Sequence, residues 1–208
     1  MFSGCSLSLF NSFRRIPETS IDKKDILPWF NGDANHFLFH ANVDIYSSHF
    51  GGIMAIKPFT TDSYRAIYIT EIGIKIFDME FFRNGDFKLH YCMDAINRMS
   101  VIKTLKNDIG LMLVNISEKN KIKFLQDSEN GKTLIKSKDP SGIKYHILND
   151  KKNRVQEIIL TKRLQKKMNI LFYSSNGIEL DSVKITHFNI KLNIQLSNYN
   201  ETKSDVPK

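Results

Sequence analysis

The feature that most constrains this chain is a change of hydrophobic period that happens once. Apolar and polar residues alternate in short runs from His36 to Cys92 and again from Lys121 to Leu196. Between them, Ile96, Met99, Ile102, Leu105, Ile109, Met112 and Ile116 fall at steps of three and four. Side chains repeat every two residues along a strand and about every 3.6 along a helix, so this pattern reads as strands, one helix, then strands.

The alternation is clean at both ends. Phe37, Phe39, Ala41, Val43 and Ile45 alternate with His40, Asn42, Asp44 and Tyr46, and Phe188, Ile190, Leu192, Ile194 and Leu196 with Asn189, Lys191, Asn193 and Gln195. Turn residues punctuate the stretch between. They include Gly51-Gly52, Glu71-Ile72-Gly73, Asn84-Gly85, Asn130-Gly131, Asp139-Pro140-Ser141-Gly142 and Asn176-Gly177. The strand after Gly52 is expected to stop near Pro58. The helix is expected to start at Asp94 as N-cap and to run for about 20 residues. Ile102, Leu105, Ile109 and Met112 then face the sheet, and Lys103 and Lys106 face water.

About eleven antiparallel strands with one helix between the fifth and sixth place the chain in the mainly-β class. A sheet of that width curls, and alternation leaves one of its faces apolar. One helix can cover the concave face but cannot fill it. The expected fold is therefore an incomplete barrel under a helix lid. Its apolar groove suits an acyl chain or another elongated apolar ligand. Residues 1–35 read as a tether or leader with a short helical or irregular segment around Trp29. Residues 36–200 read as the half-barrel domain, and 201–208 as a frayed tail.

Several function classes fall away. The chain lacks GxxxxGK[ST], GxGxxG, GxSxG, HExxH and CxxC patterns. Cys5 and Cys92 are too few for a disulfide scaffold or a zinc site, and the six histidines are scattered. The expectation is a protein that is not an enzyme and needs no metal or cofactor. The net charge of +8 is dispersed apart from Lys162-Arg163 and Lys166-Lys167, so nucleic acid is not expected as a partner. Asp78 and Glu80 share a strand face and could mimic a carboxylate pair; they read rather as the solvated face opposite Phe77, Met79 and Phe81. Arg65 either faces the groove to meet a lipid carbonyl or head group, or is a paired surface charge.

The order of elements resembles the lipoprotein-localisation factors LolA and LolB. The local match lies in Phe50-Gly51-Gly52-Ile53-Met54-Ala55-Ile56 and in Tyr64-Arg65-Ala66-Ile67-Tyr68-Ile69-Thr70-Glu71-Ile72-Gly73, which leads into Ile74–Glu80. Glu71-Ile72-Gly73 stands where LolB-type proteins carry Pro-Leu-Gly. In those proteins the turn presents an exposed leucine implicated in passing lipoprotein into the membrane, so the resemblance gives Ile72 and Gly73 a membrane-insertion role. Phe2-Ser3-Gly4-Cys5-Ser6 is similar to a lipobox and implies lipidation of Cys5. The charged and apolar segments of a signal peptide do not precede it here: either the start lies upstream, or the sequence is trimmed, or the similarity is accidental. Together these imply a lipoprotein on the periplasmic face of the outer membrane. Its partners would be acyl chains of lipoproteins, the outer-membrane surface and a periplasmic LolA-like carrier. The alternatives are a periplasmic hydrophobic-ligand module and a structural outer-membrane lipoprotein without transfer activity.

Overall fold

The computed structural model describes residues 10, 12–17, 25–30, 36–113, 121–151 and 153–199. Among them, strands β1 (Phe13–Arg15), β2 (Phe37–Ile45), β3 (Ser48–Thr60), β4 (Ser63–Thr70), β5 (Lys75–Phe82) and β6 (Phe87–Cys92) come first. Helix α1 (Met99–Leu113) follows. Then come β7 (Ile122–Asp127), β8 (Thr133–Asp139), β9 (Gly142–Leu148), β10 (Val155–Lys162), β11 (Gln165–Tyr173), β12 (Ser182–His187) and β13 (Leu192–Asn198). All join one 13-stranded sheet in the order β1-β7-β8-β9-β10-β11-β12-β13-β2-β3-β4-β5-β6.

Two meanders, β2 to β6 and β7 to β13, therefore meet at the β13–β2 pair. β1 and β6 are the edges and do not pair, so the sheet stays an open barrel. β6 and β7 lie towards opposite edges, and the chain between them has to cross the sheet. It crosses as α1, whose Leu105, Ile109, Leu111 and Met112 join one apolar cluster with residues of both meanders, such as Phe39, Met54, Met79, Ile158 and Ile170. One face of a wide sheet can share a single core with one helix only if the sheet is curled.

The structure alters several expectations. Two strands more than the sequence suggests are present, one being β1 in the stretch read as a leader. Asp94 opens a 3-10 turn (Asp94–Ile96) rather than the helix, which starts at Met99. The Met93 amide still donates to the Ile76 carbonyl at 2.9 Å, so the chain stays tied to β5 before it can turn onto the concave face. Ile116 lies outside the described residues. Gly51-Gly52 is no turn but mid-strand in β3. A Cβ on Gly52 would lie 2.1 Å from the Ile69 carbonyl oxygen, so Gly52 serves close approach of β4. Pro58 does not end β3, which continues to Thr60 through a bulge.

The N-terminal stretch contributes to the folded unit. Trp29 and Phe30 are buried at the end of the sheet where β2 and β4 begin. The Trp29 indole N–H donates to the Val155 carbonyl at 2.6 Å, and the Tyr64 hydroxyl donates to the Phe30 carbonyl at 2.6 Å. This segment plugs one end of the barrel. Phe10 stacks on Tyr145 at 4.4 Å and covers a smaller apolar cluster on the outer face of β8–β10. The opposite end, where β2–β3, β4–β5, β10–β11 and β12–β13 turn, is open.

Candidate functional site

A cavity of about 250 Å³ lies beneath the first half of α1, towards the open end. Its floor comes from alternating inward positions: Val43 and Ile45 of β2, Phe50 and Met54 of β3, Phe77 of β5, and Ile194 of β13. Its roof is Val101, Thr104 and Leu105 of α1. Period-2 alternation on the strands and period 3.6 on the helix together make a wall that is nearly all hydrocarbon.

The polar side chains in the wall are Tyr46, Tyr68, Arg98, Ser100 and Thr104; Tyr46, Arg98 and Ser100 are on exposed residues. The Tyr68 hydroxyl donates to the Phe50 carbonyl at 2.9 Å, and burial, with Glu71 nearby, pushes its pKa up to about 12. The Thr104 hydroxyl donates to the Ser100 carbonyl at 2.9 Å, satisfying itself inside the helix. Arg98 stands exposed at the rim. No carboxylate, imidazole or thiol lines the cavity among the described residues. Such a wall can bind an apolar chain by removing it from water. A second cavity, about 470 Å³, sits at the plugged end among Trp29, His36, Arg154, Glu179 and Tyr199. It is larger but mainly polar, and the helix does not reach it.

Of the lid candidates, Leu105 lines the cavity, while Ile109 and Met112 are fully buried in the core beneath the helix. Ile102 is half-buried and lies outside the cavity wall. Lys103 is exposed; Lys106 instead places its ammonium 5.2 Å from the Phe87 ring centre. Met99, in the apolar stripe, is 83% exposed because it lies at the first turn, beyond the sheet's lip.

Arg65 does not face the groove. In β4 the inward positions are Tyr64, Ala66 and Tyr68, so Arg65 falls on the outer face. There it donates two bonds to Asp78, 2.7 and 2.8 Å, with the Phe59 ring 5.0 Å away. Asp78 and Glu80 are buried rather than solvated, because cross-strand side chains cover them. Glu80 accepts from the Ser63 hydroxyl at 2.8 Å and pairs with His90 at 2.9 Å. The Arg65 guanidinium holds the Asp78 carboxyl below its usual range, and His90 and Ser63 hold Glu80 down.

A buried pair that the sequence pattern concealed fastens the lid. Asp108 of α1 meets His187 at the end of β12, Oδ2 to Nε2 2.8 Å, both side chains buried. Burial pushes the Asp108 carboxyl up, opposed by His187. The one available sign was a carboxylate three residues from Leu105 and next to Ile109, on the buried face of an amphipathic helix. The helix is thus pinned along Leu105–Leu113, while its first turns are exposed or half-buried.

Ile72 is 82% exposed in the β4–β5 turn at the open end. The turn is closed by Gly73 N–H to the Thr70 carbonyl, 2.9 Å, and Gly73 has φ +83°, where its missing Cβ matters. Cys5 lies outside the described residues.

No family model matches the chain, and no curated protein matches it. Solved structures do. A LolA superfamily protein from Nitrosomonas europaea superposes with a TM-score of 0.55 at 7% identity, covering 89% of this chain and 92% of that one. The chain has the LolA-like fold. A candidate outer membrane lipoprotein-sorting protein domain from Vibrio parahaemolyticus gives a TM-score of 0.53 at 10% identity, with 86% and 87% coverage. At such identities the likeness lies in the backbone, and the LolA-like arrangement of open barrel and crossing helix is what the two share with this chain.

Proposed function

We propose that the chain is an envelope protein that holds acyl chains of lipoproteins in the cavity beneath α1 and releases them into the outer membrane, without covalent chemistry. The observation that carries this is the cavity itself: a mainly apolar wall, without carboxylate, imidazole or thiol among the described residues, opening at the end that displays Ile72. Sheltering a chain from water is worth about 0.8 kcal/mol per methylene. The names of the structural neighbours, LolA superfamily and lipoprotein sorting, support the same reading.

The pinned second half of α1 and its looser first half give the lid a direction of movement. The turns before Leu105 swing outward, and Val101 and Thr104 leave the cavity roof as a chain enters. The LolB-like form of the reading adds an anchor at Cys5 and a membrane-entering tip at Ile72. A second reading, a ligand-binding module without transfer, draws on the cavity's size. About 250 Å³ lies just under the range of roughly 300–1,000 Å³ usual for ligand pockets.

Displacement of a fluorescent fatty acid by unlabelled chains of increasing length tests both. Affinity that climbs with length to long acyl chains, and that drops when Leu105→Trp fills the cavity, supports lipoprotein binding. A plateau at short chains favours the small-ligand module, and no displacement at all overturns both. Mass spectrometry of natively expressed protein, seeking a diacylglycerol adduct on Cys5, decides the anchor.

A further inference from the structure

The turn between β10 and β11 has a shape its residues do not suit. Lys162 pairs with Gln165, so the loop is two residues long, Arg163 and Leu164. Both have positive φ, 51° and 61°. Two-residue hairpins with this backbone are ordinarily made by Asn-Gly or Asp-Gly, because a Cβ crowds the neighbouring carbonyl there. Leu164 is nonetheless 75% exposed, and Arg163 is exposed beside it. A strained turn whose side chains both point into solvent has its use outside the fold.

Its surroundings show what kind of surface would use it. The turn lies at the open end, which also exposes Tyr46, Ile72, Met99 and Phe188. Lys162, Arg163, Lys166, Lys167 and Lys191 cluster on the same end, with the Lys166 ammonium 4.9 Å from the Phe188 ring centre. Of the acids there among the described residues, Asp44 is paired with His49 and Asp139 with Lys144, which leaves Glu71 and Asp94 against the larger set of cations. The plugged end is mixed in charge: Asp62, Asp86, Glu129, Asp150 and Glu179 are exposed in its turns, but so are Arg83, Lys132 and Lys151.

We propose that the open end docks on an anionic lipid surface, with Leu164 as an apolar tip and Lys162, Arg163, Lys166 and Lys167 as headgroup contacts. Apolar tips among cations are what an interface of acyl chains beneath anionic headgroups selects; phosphate groups alone would select the cations and not the tips. Docking this way turns the plugged, mixed-charge end outward and sets the cavity mouth against the bilayer. The proposal deepens the proposed function by naming its membrane face, and rests on that reading for its purpose. Vesicle binding itself needs no occupied cavity, so the two fail separately.

The test is sedimentation of the full chain, purified without lipid modification, with two kinds of vesicle. One holds phosphatidylglycerol and phosphatidylethanolamine in equal parts, the other phosphatidylcholine alone. The chain is expected to bind the first, to be released by salt, and to ignore the second. Arg163→Glu and Leu164→Asp are each expected to weaken binding by about fivefold or more. Ile178→Asp, at the opposite, plugged end where Ile178 is 71% exposed, is expected to change nothing. Replacing the turn by Arg163→Asn with Leu164→Gly separates fold from function: the melting temperature rises as strain is relieved, while vesicle binding falls. Absence of binding, equal binding to both vesicles, an Ile178→Asp loss equal to that of Leu164→Asp, or full binding by the Asn-Gly variant would each overturn the proposal.

Discussion

Leu105→Asp asks whether the helix is packed where the cavity roof requires it. Leu105 is 7% exposed, bounded by the cavity on one side and by the core on the other. Removing its buried hydrocarbon costs about 2 kcal/mol. An uncharged carboxyl in its place adds about 1 kcal/mol for an unmatched polar group. The introduced group ionises only at a pH above its usual range, and each pH unit of delay adds about 1.4 kcal/mol to the deficit once the solution is alkaline to it. The folded state then holds its proton more tightly than the unfolded chain, so stability falls as pH rises. The expected loss is about 3 kcal/mol at pH 4 and about 5 kcal/mol at pH 7. For a domain of this size, about 5 kcal/mol lowers the melting temperature by roughly 10–20 °C. Thermal unfolding followed by circular dichroism at both pH values measures it, with Lys103→Asp as the exposed control, expected within about 0.5 kcal/mol of wild type. A Leu105→Asp melting temperature equal to wild type at pH 7, or a deficit that shrinks with rising pH, would refute a helix buried at this point.

Four further outcomes follow from the geometry. Ile72→Glu should alter stability by less than about 0.5 kcal/mol, yet block transfer of bound lipoprotein to liposomes, because a charge does not enter hydrocarbon; normal transfer would remove Ile72 from the mechanism. His187→Phe leaves Asp108 buried without its partner and should cost about 3–5 kcal/mol in chemical denaturation. A smaller cost for Asp108→Leu paired with His187→Phe than for His187→Phe alone would confirm the coupling. Gly52→Ala should destabilise the fold by several kcal/mol, since its Cβ would meet the Ile69 carbonyl at 2.1 Å where the β3–β4 ladder ends; a soluble, wild-type-like variant would show that the end of β4 can move away. Asp78 has a carboxyl lowered chiefly by Arg65, so the unfolded chain binds its proton more readily. The stability it contributes is present above about pH 4 and lost as the pH falls through its lower folded value, a loss that Asp78→Asn should flatten in acid titration.

The sequence by itself determined the class of fold. Period-2 runs from Phe37 to Tyr91 and from Ile122 to Leu196, broken by the stripe at Leu105, Ile109 and Met112, leave an antiparallel sheet and one covering helix as the consistent arrangement. Local signals also placed Ile72-Gly73 in a turn, because a β4–β5 hairpin of that length needs a residue at positive φ. What local signals cannot carry is which distant residue covers which. Arg65 reads equally well as a groove residue or a paired charge, and only the β4–β5 register, which sets Arg65 beside Asp78 and Glu80, makes it an outer-face partner. Gly51-Gly52 reads as a turn until the Ile69 carbonyl is seen against it. Asp108 and His187 are 79 residues apart, and their pairing exists only because the chain between β6 and β7 has to cross the concave face. The plug at Trp29 and Phe30, the open end opposite, and the gathering of Leu164, Phe188 and Ile72 at that open end follow from strand order. Strand order is fixed by long-range burial of apolar faces, whose energy no short window of sequence contains.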